Sequence, residues 1–295
     1  MGIKLRWNDQ SAQQLDAIEI YRSANVIDIS NPGAPYKTLA GTAVEFEDTD
    51  VRNKELWHYR LAAVKGEERA WGEDQVGGYF SETGPGRDTP LRGTWAAGFM
   101  EMLPVADFIT GPDLRLKVPA LGTWGSAWNP SYWFKMVHNG NIIYVPDSNI
   151  VTATWNELYN AGLVYGTNDF GKTPLGDAGA VNQRTVIEIN GLEYILRLPR
   201  ISAKPTSEYI TGTADMQGSE WKDVISRLNS STISNDPSAR TRLFDTTSGW
   251  ITISPHWTKE NTASNVVAAN NEVLGAGIAI GTRATVMLVL ELVQP

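Results

Sequence analysis

The residues of this chain that could do chemistry are few and widely spaced. Its three histidines, His58, His138 and His256, include no pair at the i, i+4 spacing that sets two imidazoles on one helical face around a metal. His58 sits beside Tyr59 in a strand pattern, on the side away from the core, and His138 belongs to the turn HNGN. With no cysteine there is no disulfide, thiolate metal site or cysteine nucleophile. Glu47, Asp48 and Asp50 gather three hard oxygens that calcium would accept. The same stretch reads better as a turn between strands, in which Asp48 accepts from nearby amides. No metal and no cofactor is therefore expected. A G-x-S-x-G elbow and a G-x-x-x-x-G-K phosphate loop are both missing. A glycosidase would need two carboxylates roughly 5 to 9.5 Å apart. Glu157 and Glu220, each beside a tryptophan, are the pair to weigh, yet both also fit the first turn of a helix, where a carboxylate caps free amides. That second reading is preferred, so no catalytic residue is expected and the chain is not read as an enzyme.

Binding has a better candidate. Trp124, Trp128, Tyr132 and Trp133 fall within GTWGSAWNPSYWF, among Gly, Ser, Asn and Pro, and GWITISPHW adds Trp250 and Trp257. Flat rings beside amides and hydroxyls suit a carbohydrate, whose C–H faces stack on aromatics while its hydroxyls need polar partners. The same rings could fill the core of a β-rich domain or anchor a subunit interface. All three readings stand at this point.

The elements that must carry these residues follow from length and pattern. At 295 residues the chain is long enough for two domains. Its net charge of -8 argues against a nucleic-acid partner, which would need a basic face. No stretch approaches the roughly 20 apolar residues of a membrane span, and MGIKLRWNDQ lacks a signal-peptide core, so synthesis in a cytosol without insertion or secretion is expected. Ile3, Leu5 and Trp7, then Ile18 and Ile20, then Tyr59, Leu61 and Ala63 alternate with their neighbours, separated by the turns NPGAP and EDTD. Several short strands at this spacing predict an antiparallel sandwich over residues 1–82. SETGPGRDTPLRG, residues 81–93, is rich in Gly and Pro and almost free of apolar residues and reads as linker, with the boundary between domains set at 83–94.

Residues 95–295 read as a larger β-rich α+β domain. Asn139-Gly140 and Asn190-Gly191, each between apolar runs, predict two hairpins. Two short helices are expected. One spans 152–161, with Thr154 as cap, Glu157 three residues on and Gly162 as terminator. The other spans 218–229, with Ser219 as cap and Trp221, Val224, Ile225 and Leu228 on one face. The apolar run 284–293 predicts a central strand.

The segments LRW at 5–7, IEIYRS at 18–23, FEDTDV at 46–51 and WHYRLAAVKG at 57–66 resemble, in order, strand signatures of a fibronectin type III module of the bacterial and phage kind. The first matched strand begins at residue 3, leaving no room for a full first strand before it, so either the module lacks that strand or another chain or domain covers the exposed edge. FKMVHNGNIIYVPDSN, TWNELYNAGLVYG, VIEINGLEYILRLPR and GSEWKDVISRL resemble a module of tailed-phage virion proteins. Their order is also similar to C-type-lectin-like domains of the sulfatase-modifying-factor kind. These resemblances imply an Ig-like sandwich followed by a β-rich domain in a virion structural protein of the tail, neck, fibre or decoration class. Such a protein would be oligomeric and made in the host cytoplasm. Its implied partners are other virion proteins, copies of itself and, through the aromatic cluster, a host-surface glycan. A capsid decoration protein without a receptor role and a glycan-cleaving virion enzyme are the alternatives.

Overall fold

A computed structural model describes residues 2–125, 128–173, 179–206, 208–229, 251–258, 265–270 and 273–294. The chain is mainly β and divides into two units, the first formed by residues 1–82 with 94–96 and the second by 83–93 with 97–295.

The first unit contains β1 (Ile3–Arg6), β2 (Ala17–Ser23), β3 (Lys37–Ala40), β4 (Glu45–Asp48), β5 (Glu55–Lys65), β6 (Glu68–Trp71) and β7 (Gln75–Tyr79). β1 pairs antiparallel with β4 in a two-stranded sheet. A five-stranded sheet runs β3-β2-β5-β6, with β7 pairing the first half of β5 and β6 the second. The alternation seen in the sequence is what joins the sheets: Ile3 from β1, Ile20 from β2 and Tyr59 from β5 share one cluster with Trp7, Phe46 and Trp57. The outer face of the larger sheet has its own small cluster of Tyr21, Ile27 and Ala62 under Trp71, whose ring lies 4.9 Å from that of Tyr21. Trp95, beyond the expected linker, belongs to this unit and stacks on Phe80 at 4.5 Å.

The second unit contains β8 (Arg92–Gly93), β9 (Ala97–Pro104), α1 (Gly111–Lys117), β10 (Tyr132–His138), β11 (Asn141–Pro146), β12 (Val151–Ala153), α2 (Trp155–Asn160), β13 (Val186–Ile189), β14 (Leu192–Arg197), β15 (Tyr209–Ile210), β16 (Ile251–Thr258), β17 (Asn265–Asn270), β18 (Val273–Ala279), β19 (Ala284–Val286) and β20 (Val289–Leu292). Seven strands form one antiparallel sheet in the order β13-β14-β20-β11-β10-β9-β8. β12 pairs with β19, and β15 to β18 form a four-stranded sheet. Both Asn-Gly pairs turn as expected, with φ of 47° and 77° at Asn139 and Gly140 and of 52° and 81° at Asn190 and Gly191, the left-handed conformations a two-residue hairpin requires. The closing apolar run is broken into β19 and β20, and β20 lies between β14 and β11, buried at Val289, Leu290 and Leu292.

Pairing fixes what each face of the seven-stranded sheet presents, because residues opposite one another project to the same side. One face carries Trp133, Lys135 and Tyr144, the other Phe134, Met136 and Ile143. An extra residue, Met100, stands in β9 between Glu101, opposite Lys135, and Phe99, opposite Met136. This β-bulge lets one strand send Glu101 to the first face and Phe99 to the second. The second face is packed by Ile201, Met216, Trp221, Val224, Ile225 and Leu228.

Two expectations need correction. Residues 83–93 are not a free linker. Lys135, fully buried, donates from Nζ to Thr83 Oγ1 (3.2 Å) and to the carbonyls of Gly84 (3.1 Å) and Arg87 (2.8 Å). Tyr144 Oη donates to the carbonyls of Thr83 and Pro85, and the amide of Arg87 donates to Glu101 Oε2 at 2.6 Å. The segment is a strap across the first face, and its lack of apolar side chains reflects an attachment made by its backbone. The expected helix at 218–229 keeps its apolar positions but winds differently, as a π-turn (Trp221–Ile225) followed by a 3₁₀ turn (Ser226–Asn229). Ser219 still caps it, accepting from the amide of Lys222 at 3.1 Å. The wide turn begins next to Glu220, whose carboxylate is tied down by Arg197. α1 was not expected, since its Gly-Pro opening reads as a turn; Thr110 caps it by accepting from the amide of Asp113.

Candidate functional site

The carboxylates weighed for catalysis are held in structural roles. Glu157 completes the expected capping box of α2: Thr154 Oγ1 accepts from the Glu157 amide at 3.1 Å and Glu157 Oε2 from the Thr154 amide at 2.8 Å. Its other oxygen accepts from Arg283 at 2.6 Å. Glu220 is not a cap but half of a buried ion pair. Arg197 donates to both its oxygens, at 3.0 and 2.6 Å, and also to Glu291 Oε2 at 2.6 Å. Burial pushes the Glu220 carboxyl up, but the charge and hydrogen bonds of Arg197 outweigh it and hold the group below the usual glutamate range. Arg197 is desolvated too, yet the two carboxylates raise it above its ordinary value.

The calcium candidate is likewise occupied by protein groups. Asp48 is fully buried and accepts from Tyr59 Oη (2.6 Å), Tyr36 Oη (2.9 Å), Arg22 Nη1 (2.8 Å) and the amide of Asp50 (3.1 Å). Burial alone would raise its carboxyl; these donors bring it below the usual aspartate value. The amide bond from Asp50 was expected, and the two tyrosines and the arginine that dominate the site were not. His58 is not a free surface residue either, since its Nδ1 lies 2.6 Å from Asp74 Oδ2 and the ring is only 21% exposed.

The aromatic cluster separates. Trp133 has no exposed surface, donates from Nε1 to the Ile109 carbonyl at 2.8 Å and meets Phe108 edge-on at 5.6 Å, so it is a core residue. Tyr132, its neighbour in β10, projects to the opposite side and is half-buried. Trp124 is half-buried and Trp128 is 38% exposed, in a loop tied to Ile150 by the Trp128 amide. Trp257 lies in β16, opposite Val266 of β17, His256 precedes it in the same strand, and Trp250 lies outside the described residues. Among the described residues, Trp133 is therefore withdrawn into the core, on the opposite side of β10 from Tyr132.

A different group of residues converges. On the second face of the large sheet, pairing sets Ile143, Met136, Phe99 and Arg92 in one row across β11, β10, β9 and the edge strand β8. At the Arg92 end, the π-turn and the 3₁₀ turn after it close a small cleft of about 30 Å³ lined by Arg92, Ala97, Phe99, Asp223, Val224 and Arg227. Gly93 holds the edge close: its φ is +77°, and a Cβ there would stand 2.2 Å from the Ala97 carbonyl oxygen. His138, on the same face as Met136, lies with Nε2 3.3 Å from Asp223 Oδ2. Arg92 and Arg227 are exposed, and neither guanidinium has a hydrogen-bond or ion-pair partner among the described residues. Asp223 and Arg227 are four residues apart, a spacing that in an α-helix reads as an ordinary surface ion pair. The π-turn replaces that pair with two separate walls of the cleft.

Among the described residues no group of three His, Asp or Glu is placed to hold a metal, and no helix is long and apolar enough to cross a membrane. No protein-family model matches the chain, and no curated protein or solved structure matches it either.

Proposed function

We propose that the chain is a structural component of a tailed-phage particle, at the tail, neck or a peripheral fibre, that docks through one unit and projects the other toward the host surface. The observation that carries this reading is the arrangement of the first unit. The segments resembling a fibronectin type III module fall on β1, β2, β4 and β5, with β1 and β4 in one sheet and β2 and β5 in the other. β1 has no strand partner beyond β4 among the described residues. An open edge of this kind accepts a strand from another chain, which favours the first unit as the docking side. A non-enzymatic role is supported by the fate of Glu157 and Glu220, one spent on a helix cap and the other on a buried arginine. Repeated symmetric copies would follow the usual rule for such assemblies.

The test is the particle. A gold-labelled antibody against the chain, applied to purified particles and viewed by electron microscopy, should mark the tail, neck or tail tip. Label spread over capsid facets would replace docking and projection with decoration. A chain absent from purified particles would overturn the virion reading itself.

A further inference from the structure

The cleft beside β8 presents two guanidiniums that have no partner among the described residues, and such arginines on adjoining elements are the arrangement that recognises an anion through paired N–H donors. Asp223 narrows the choice of anion. Its carboxylate lines the same cleft, so a phosphate dianion entering between the arginines would meet a like charge, whereas a monoanionic carboxylate meets less repulsion. Asp223 is also an acceptor, which favours a ligand carrying a hydroxyl donor next to its carboxylate. The cleft is small and open on one side, so a single such group would enter it and the remainder of the ligand would rest at the mouth. An extended peptide would be expected to gain affinity by pairing along the sheet edge, but β8 is two residues long and offers almost no ladder. Sugar acids join a ring carboxylate, neighbouring hydroxyls and an apolar C–H face in one compact unit, and the wall made by Phe99, Ala97 and Val224 supplies the apolar contact. A π-turn is rare and is frequently found where a protein binds something.

We propose that the cleft formed by Arg92, Arg227 and Asp223 binds an acidic sugar residue of the uronic-acid type, its carboxylate between the two arginines and an adjacent hydroxyl donating to Asp223. This rests on the adhesive half of the proposed function. It is measured on the isolated protein, whereas the place on the particle is read by microscopy, so either can fail alone.

The experiment is titration of the full chain by saturation-transfer NMR and calorimetry with methyl glucuronide, methyl glucoside, inorganic phosphate and a short acetylated peptide with a free C-terminus. Methyl glucuronide should bind with a dissociation constant of about 1 mM, as suits a single small sugar group, and at least about tenfold more tightly than the glucoside. Arg92→Gln and Arg227→Gln should each weaken it by about tenfold. Both residues are exposed, so an unchanged urea midpoint will show that the variants remain folded. Asp223→Asn should narrow the preference for glucuronide over phosphate. Equal binding of glucoside, tighter binding of phosphate or of the peptide, or arginine variants that bind like the parent protein would each overturn the proposal.

Discussion

The buried ion pair of the second unit allows the energetic reasoning to be tested directly. Arg197 and Glu220 expose 1% and 2% of their side chains, and Glu220→Gln keeps the shape of the acid while removing its charge. The guanidinium then keeps Glu291 as its charged partner, through Nε at 2.6 Å, beside the Leu198 carbonyl at 3.0 Å. Removing one partner of a buried pair typically costs about 3 to 5 kcal/mol; the surviving contact places this variant near the lower end, about 3 kcal/mol. With a urea slope of about 2 kcal/mol per molar, the midpoint should fall by about 1.5 M. The assay is urea unfolding followed by hydrogen exchange in peptides spanning 192–197 and 289–292. Acid supplies an independent check. The Glu220 carboxyl is held below its unfolded value, so its stabilisation is complete above about pH 4.3 and is lost as pH falls through the lower folded value. The gap between wild type and variant should therefore begin to narrow below about pH 4.3 and close only beneath the lower folded value. An unchanged midpoint at neutral pH, or a gap that stays constant as pH falls, would refute the account.

Three further outcomes follow from other contacts. Asp48→Asn, which faces an amide toward donors that the carboxylate satisfied, should cost about 3 kcal/mol and raise exchange in β4 and β5. Lys135→Met should strand the carbonyls of Gly84 and Arg87 at about 1 to 3 kcal/mol each, and the released strap should be cut by trypsin after Arg87 well before the parent chain is. Trp133→Ala should cost about 3 to 5 kcal/mol in thermal or urea unfolding, and Trp128→Ala clearly less, because one side chain is fully buried and the other is 38% exposed.

Local chemistry was legible in the sequence wherever one short segment decides its own shape. Asn139-Gly140 and Asn190-Gly191 turn as that dipeptide must, and Thr154 with Glu157 builds its cap from residues three apart. Even the division of the aromatic cluster was available, since Tyr132 and Trp133 are consecutive in a strand and must face opposite ways. What escaped depends on residues far apart. The strap at 83–93 is polar and rich in Gly and Pro like a linker, and only Lys135 and Tyr144, some fifty residues on, turn its carbonyls into anchors. Glu220 met its arginine from 23 positions away, and the cleft joins Arg92 to Arg227 across more than a hundred residues. No local pattern records such meetings.

Met100 gives the cleft a counting problem of its own. Strict alternation along β9 would give Phe99, Glu101 and Leu103 the same parity, all odd and all on one side. The extra residue resets that count, so Glu101 can accept from the strap while Phe99 lines the cleft. Deleting the single codon for Met100 would preserve the partner of every other residue in the strand while removing a fully buried side chain and the added local twist. Ligand binding at the cleft and cohesion of the strap could thus be compared in a chain shortened by one residue, with the alignment of β9 left as it was.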